Sequence, residues 1–555
     1  MTPRAFLVIA FGFVLALPAA AQEKPVPPGR DVRVGRDTAA VQPAAGLPKI
    51  DLPEYEITGD EVIDQPGFAK TAVEGGTAID PLAGRTQGSR EAVTDIGIGG
   101  PRTRPGTDEG NRGKATVSYG SFVTPSLQAA YGRTFEGYDV LLKGGYRSSE
   151  GHAANRDFRE ASASVAVSAT AGPDGFPWGV DRLRASLGLE GDGYRLYGSA
   201  VPGRERTVER FLLETAATGG TDLLRSFNAA LSVGGTSVVD TFQAYETEVG
   251  LAAGAEADLE GWTVDADAGF WIDFYRPASE VGNPLLFTLR PVAEKYLAED
   301  WRLTAGFGFH LLRGTTGPVV GRIWPAVEIS WYPSDPLRVF AAYDPTVERV
   351  NLGVLVRANP YLRNDEQIRH TEYPVAVRAG VEFTPVRGWT LTAAGTYREA
   401  RGLPVPLDPA GTGVWSFAYD GTTRITGAEV ELYADVSDDD QLAANAEFRS
   451  LELSTTGKKP PYYPSVTAGA SYMKRFPFGL SAGTRLQFVG TQEVDAANTA
   501  TLPSYLLWSI EAEYRVLPPL GVTFGLTNIL NARAERYRGY ESRPRSVALG
   551  VAYRW

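Results

Sequence analysis

The chain has 555 residues, 43% of them hydrophobic and 11% aromatic, with 62 Gly, 25 Tyr, 10 Trp, three His and no Cys. Without Cys there are no disulfides or thiolate metal sites, and three scattered His leave little material for imidazole chemistry, so neither a metal nor another cofactor is expected. A net charge of -12 argues against a general nucleic-acid binder, and beyond the N-terminus no run of ~20 apolar residues offers a membrane helix.

Residues 1–21 read as a secretory signal: Arg4, an apolar run from Ala5 to Leu17, then Ala19-Ala20-Ala21 ahead of Gln22. Residues 22–112 shift to Pro, Gly, Asp, Glu and Arg with few aromatics and read as a largely disordered tail. One β-prone run interrupts it at 50–62. There Glu54, Tyr55, Glu56, Ile57 and Thr58 lie between Pro53 and Gly59, and an exposed peptide of this kind suits addition to the sheet edge of a partner. The bland reading is a linker with a few apolar residues.

From 113 to 555 the chain becomes a relay of alternating segments. Val375, Val377, Ala379, Val381 and Phe383 oppose Ala376, Arg378, Gly380 and Glu382. Ala428, Val430, Leu432 and Ala434 oppose Glu429, Glu431 and Tyr433, and Leu506, Trp508, Ile510, Ala512 and Tyr514 oppose Ser509, Glu511, Glu513 and Arg515. This is strand periodicity with one greasy face and one ionisable face. A charge facing lipid near mid-bilayer costs roughly 2–4 kcal/mol, whereas a lumen charge stays hydrated, so a transmembrane antiparallel β-barrel explains the sorting better than a soluble sandwich. The lumen candidates are Arg378, Glu382, Glu429, Glu431, Glu511, Glu513 and Arg515. The count comes to about 22 strands, with those near 205–217 and 285–296 the least distinct.

The last ten residues alternate without a break, Val547, Leu549, Val551, Tyr553 and Trp555 on one face, as a closing strand does. With the C-terminus placed in the periplasm, tight turns at 135–137, 333–336, 475–479 and 517–521 fall on that side. Longer polar segments at 346–372, 453–463, 491–503 and 531–545 fall outside. In the last of these, Arg533, Arg536 and Arg538 with Tyr537 and Tyr540 suggest an outward-facing anion or lipopolysaccharide contact, or else a solvated loop.

Gly479-Leu480-Ser481-Ala482-Gly483 matches G-x-S-x-G, but it opens a strand after a turn and no His follows His370, so a hydrolase triad cannot be completed. His152, His310 and His370 show no convergence with a nucleophile or paired acid and read as loop or lumen residues. Gly97-Ile98-Gly99-Gly100 lacks the helix that would cradle a phosphate. No enzyme is expected.

In their order along the chain, several pieces resemble the TonB-dependent outer-membrane receptors: Tyr119-Gly120-Ser121-Phe122, Tyr146-Arg147-Ser148-Ser149-Glu150-Gly151 with Asn155 and Phe158, Asn359-Pro360-Tyr361-Leu362 with Asp365 and Glu366, Gly427-Ala428-Glu429-Val430-Glu431, and Thr527-Asn528-Ile529-Leu530-Asn531 with Tyr537, Arg543-Pro544-Arg545 and the closing strand. Asn364 stands where the family's extracellular element has a proline. The resemblance implies a barrel in the outer membrane of a Gram-negative-type cell, with N-terminal tail and C-terminus periplasmic. It also implies Tyr553 and Trp555 as the signal read by the barrel-assembly machinery, and 50–62 as a segment that docks TonB or another periplasmic protein. Family members carry an N-terminal plug. The roughly ninety residues at 22–112 are too polar to build one alone, so a plug-less or plug-reduced relative is expected. The function implied is gated uptake of a small or medium-sized ligand; the alternative is an outer-membrane scaffold or export barrel whose tail holds a periplasmic partner.

Overall fold

The computed structural model describes residues 113–135, 137–171, 176–277, 281–386 and 388–555. The signal-like segment, the tail with 54–58 and the glycines at 97–100 lie outside them. Strand periodicity runs through the rest, and the described chain folds into one closed antiparallel wall of 22 strands. Hydrogen bonding counts 23 strands in the sheet, but Thr346–Glu348 merely continues Leu337–Tyr343 along the same neighbour, Thr371–Phe383. Both segments near 205 and 285 are strands, Glu205–Gly219 and Leu285–Ala298.

Each wall strand pairs with the next one along the chain, so contacts in the wall are local hairpins. Only the closure joins the ends. Gly113–Gly120 pairs with Ser546–Arg554 in the register Lys114↔Arg554 to Gly120↔Ala548, and Gly113 and Trp555 exchange backbone hydrogen bonds of 2.9 and 3.1 Å. Gly113 is required there: a Cβ would stand 2.2 Å from the Trp555 indole. Closing the sheet leaves no edge strand to be satisfied by anything but the protein itself.

Alternation then decides what faces where. On the closing strand Leu549, Val551 and Tyr553 are about half exposed on the outer wall, whereas Ser546 and Ala552 are buried against the lumen side. Near the turn end the outer wall carries aromatics in contact with one another and with basic groups. Trp301 stacks on Trp331 at 5.9 Å, Lys295 lies 5.2 Å over Trp262, and Arg133 lies 4.8 Å over Phe135. Amphipathic rings with long cations reaching past them form the girdle expected where a bilayer meets water.

The two ends of the barrel differ because their connections differ. The C-terminus and the short turns share one end, where the turn before Leu480–Val489 is closed by Gly479 at φ 86°. The opposite end holds the long connections, three of which form small hairpins of their own: Pro404–Leu407 with Ser416–Tyr419, Gln492–Glu493 with Thr501–Leu502, and Glu535–Tyr537 with Tyr540–Glu541. It also holds the α-helix Leu352–Ala358. Parts of these connections turn inward, and together with inward residues of the wall they make two large buried clusters.

Candidate functional site

The connection 349–370 is the centre of the loop end. Asn351 starts its helix, its side-chain oxygen accepting from the Val354 N–H at 2.8 Å, and Pro360 follows the C-cap Asn359 where the helix must stop. Leu352, Leu355 and Val356 form the helix's buried face. They pack on Val208, Val238 and Ala244, which point inward from the loop ends of three wall strands. A loop expected to project outward is therefore folded over the lumen, because it carries an apolar face that only the inner wall can cover.

A polar lock fixes its first residues. Glu248 and Asp273 stand directly opposite each other on neighbouring strands, an arrangement that repels unless a cation intervenes. Arg349 is that cation: it donates to Glu248 at 2.8 Å and to Asp273, which is fully buried. Asn351 donates to Glu248 at 2.7 Å, and the Gly353 N–H donates to Glu246 at 3.3 Å. At the other end of the connection, His370 accepts from the Val350 N–H at 3.2 Å through Nδ1 and reaches the Leu285 carbonyl at 3.2 Å through Nε2. Those two partners together require the neutral Nε2–H tautomer. Burial, then the nearby Arg349, pushes the imidazole down to about 4, so it stays neutral at ordinary pH.

An aromatic lock fixes the middle. Tyr361 stacks on Tyr540 with centroids 3.5 Å apart and touches Tyr194, Tyr197, Trp415 and Tyr537 edge-on or tilted. Trp415, Tyr462, Tyr537 and Tyr540 are all buried, and with Tyr197, Tyr361, Val494 and Leu502 they bring six connections together in one core. The main chain before Tyr361 is held too. The Pro360 carbonyl accepts from Tyr194 at 2.8 Å and from Arg206 at 2.5 Å, and Arg206 forms a fully buried pair with Asp240. The Ala358 carbonyl accepts from Tyr537 and Arg536.

This corrects the expectation for the last long connection. Tyr537 and Tyr540 do not face outward, and Arg536 bonds the helix end; Arg533 and Arg538 remain in the same connection. Amphipathic rings with satisfied hydroxyls are more stable in the shared core than in solvent. Sequence reading passed over Arg349, Asp273, Arg206 and Tyr361 as members of a site. A signal did exist for Asp273, a lone acid at an inward position in the apolar run Phe270-Trp271-Ile272-Asp273-Phe274-Tyr275.

Below the cap the lumen wall is charged and mostly neutralised within itself. Arg378 bonds Glu429 at 2.6 Å, Glu382 pairs with Arg338 at 3.3 Å, and Glu513 holds both Lys114, at 3.0 Å, and Arg554. Glu431 and Arg515 stand exposed, Arg515 near the turn end. Glu511 lines a shallow recess. So the seven lumen candidates do not converge on one centre; they are distributed round the wall. Tyr553 lies on the outer wall beside Trp555, rings stacked at 6.0 Å.

Ser481 lies on a wall strand opposite Glu513, while His152, His310 and His370 belong to other parts of the wall and its connections. Among the described residues no group of three or more His, Asp or Glu is placed to hold a metal ion. What the arrangement presents is a charge-lined lumen with a packed cluster of connections at one end.

The family model described as "TonB dependent receptor-like, beta-barrel" matches residues 79–529. Among solved structures the chain is similar to the FrpB iron transporter from Neisseria meningitidis, at 13% identity, TM-score 0.63, over 81% of this chain and 82% of that one. It is similar to the siderophore receptor PiuA from Acinetobacter baumannii at 13% identity and TM-score 0.60, and to the copper transporter OprC at 12% and 0.60, each over 81% of this chain and 82% of the other. No curated protein matches the sequence.

Proposed function

The chain belongs to the TonB-dependent receptor family of outer-membrane β-barrels, a family of transporters and receptors and not of enzymes, and from that premise we propose that it is a gated uptake barrel for a small or medium-sized ligand. The gate is the connection 349–370, and the charged lumen wall is the route behind it. In this reading the loop end faces the cell exterior and the turn end the periplasm, where residues 54–58 offer one strand to TonB or another periplasmic protein. Tyr553 and Trp555 serve assembly into the lipid, and residues 22–112 are too polar to form a complete plug by themselves.

The single observation that carries the reading is the double lock on 349–370. A barrel built only as a scaffold has no need to seat an apolar helix over its own lumen and pin it with a buried Arg349 pair at one point and a stacked Tyr361 at another. The similar structures named as an iron transporter, a copper transporter and a siderophore receptor support a small ligand over a protein cargo.

The test is uptake in cells that express the full chain, the chain without 22–112, or the chain with 349–370 replaced by a short Gly-Ser turn. Removing 22–112 abolishes energised uptake while the barrel still assembles, and replacing 349–370 raises passive leakage of a small dye. If neither change touches permeation, and removal of 22–112 only releases a co-purifying periplasmic protein, the uptake reading is wrong and the scaffold reading takes its place.

A further inference from the structure

We propose that Arg485 and Glu511 form a subsite on the lumen wall for small zwitterions, molecules that carry a carboxylate and an ammonium group, of which amino acids are the simplest. Leu480–Val489 and Tyr505–Leu517 are neighbouring strands in the register Gly483↔Glu511 and Arg485↔Ser509. The alternation places both ionisable side chains on the lumen face as diagonal neighbours, positions that stand about 7–8 Å apart in a sheet with their Cβ atoms somewhat closer.

Two features together mark this pair. The first is that they are uncommitted: among the described residues neither Arg485 nor Glu511 makes an ion pair or a side-chain hydrogen bond, to each other or to a third group. Many other lumen charges are closed into pairs, as at Arg378–Glu429, Arg338–Glu382 and Glu513 with its two cations. The second is space. Ser471, Met473, Gly483 and Ser509 surround them, leaving a recess in the wall. The Glu511 carboxylate lies back against Gly483, its oxygen 3.1 Å from where a Cβ would be, so any larger residue at 483 would push it out into the lumen.

Chemistry then selects the guest. The guanidinium fork of Arg485 matches a carboxylate in bidentate fashion, and Glu511 accepts from an ammonium group. A guest with one charge gains one partner and is repelled by the other group. A guest with both charges gains two, which is how a pair that stays open discriminates where a closed ion pair would not. Met473, opposite Gly483 on the neighbouring strand, adds an apolar side to the recess. The inference rests on the uptake reading for its physiological meaning, but binding itself does not.

The experiment therefore measures binding and not transport. Full-length protein in detergent micelles is titrated calorimetrically with L-serine, and in parallel with acetate and ethylammonium, which each carry half of the zwitterion. L-serine is expected to bind at least tenfold more tightly than either half. R485Q and E511Q are each expected to lower L-serine affinity at least fivefold, and the swap R485E/E511R to restore most of it. Heat-modifiable electrophoretic mobility checks that each variant remains a barrel. Equal affinity for acetate and L-serine would reduce the site to a simple anion contact. That result, the absence of binding by every probe, or unchanged L-serine affinity in both single variants would overturn the proposal. Binding by the wild-type chain in a protein that fails the uptake test would instead leave the subsite standing and remove its transport role.

Discussion

The phenol ring of Tyr361 lies on that of Tyr540, centroids 3.5 Å apart and planes 20° from parallel. One ring comes from the connection that holds the helix and the other from the last connection before the closing strand. The stack thus ties the middle of the chain to its end across the mouth of the barrel. Removing it should free the cap without touching the wall, whose hairpins lie elsewhere.

Tyr361→Ala removes a half-buried ring packed on a buried aromatic core, a change worth less than the about 3–5 kcal/mol of deleting a fully buried aromatic. The expected result is loss of amide-exchange protection across 349–370 and across Glu535–Glu541, with protection of the wall strands unchanged. Tyr361→Phe keeps the stack and should leave protection nearly intact. Equal protection in the alanine variant and the unmodified chain would mean that the stack is not what holds the loop.

Arg349→Ala strands Glu248 and Asp273 opposite each other without their shared cation. Leaving a buried charge unpaired costs about 3–5 kcal/mol, so the cap is expected to open locally and become sensitive to protease between 349 and 370. The double variant Arg349→Ala/Asp273→Asn removes one of the repelling charges and should recover part of the loss. A double variant cleaved faster than the single one would refute this account of the lock.

Acid should act on the same segment through His370. Its folded value of about 4 lies below the ordinary 6.5. The detached loop therefore binds a proton that the docked loop refuses, and the stabilising contribution is complete above about pH 6.5. It is lost as pH falls toward 4 and amounts to on the order of 3 kcal/mol at its limit. Hydrogen exchange of 349–370 measured from pH 7 to pH 4, and corrected for intrinsic rates, is expected to show weakening protection. In His370→Gln that pH dependence should flatten; a wild-type slope that survives the substitution points to a different group.

At the seam, Glu513→Ala leaves Lys114 and Arg554 facing each other across the closing pair of strands without their common partner. Charge-assisted hydrogen bonds contribute about 1.5–3 kcal/mol each, so the temperature at which the folded band disappears on a semi-native gel should drop. Glu431→Ala, on an exposed lumen position, should leave it unchanged. The same drop in both variants would show that net lumen charge matters and the seam contact does not.

How legible each part was follows from the range of the interactions involved. The segment 375–383 declares its faces within nine residues, since Arg378 and Glu382 alternate with Val377, Val381 and Phe383, and the structure places the two sets on opposite sides of the wall. The connection 531–545 declares nothing comparable. Its Tyr537 and Tyr540 are as consistent with a wet outer loop as with a core, and what decides between the two is Tyr361 and Trp415, more than a hundred residues earlier.

Sequence by itself determined that the chain must wrap into a closed wall, because period-2 sorting of charge from grease, repeated strand after strand, is satisfied only when one face meets lipid and the other water. It also determined the strand number and the order of the hairpins, since each strand pairs with its neighbour in the chain. Only the tertiary structure decided that 349–370 folds inward onto the wall, that Arg349 separates Glu248 from Asp273, and that Arg485 and Glu511 make no ion pair. The physical reason is that wall geometry is set by local backbone periodicity, whereas a cap is set by shape and charge matching between connections that have no period and meet only once the barrel has closed.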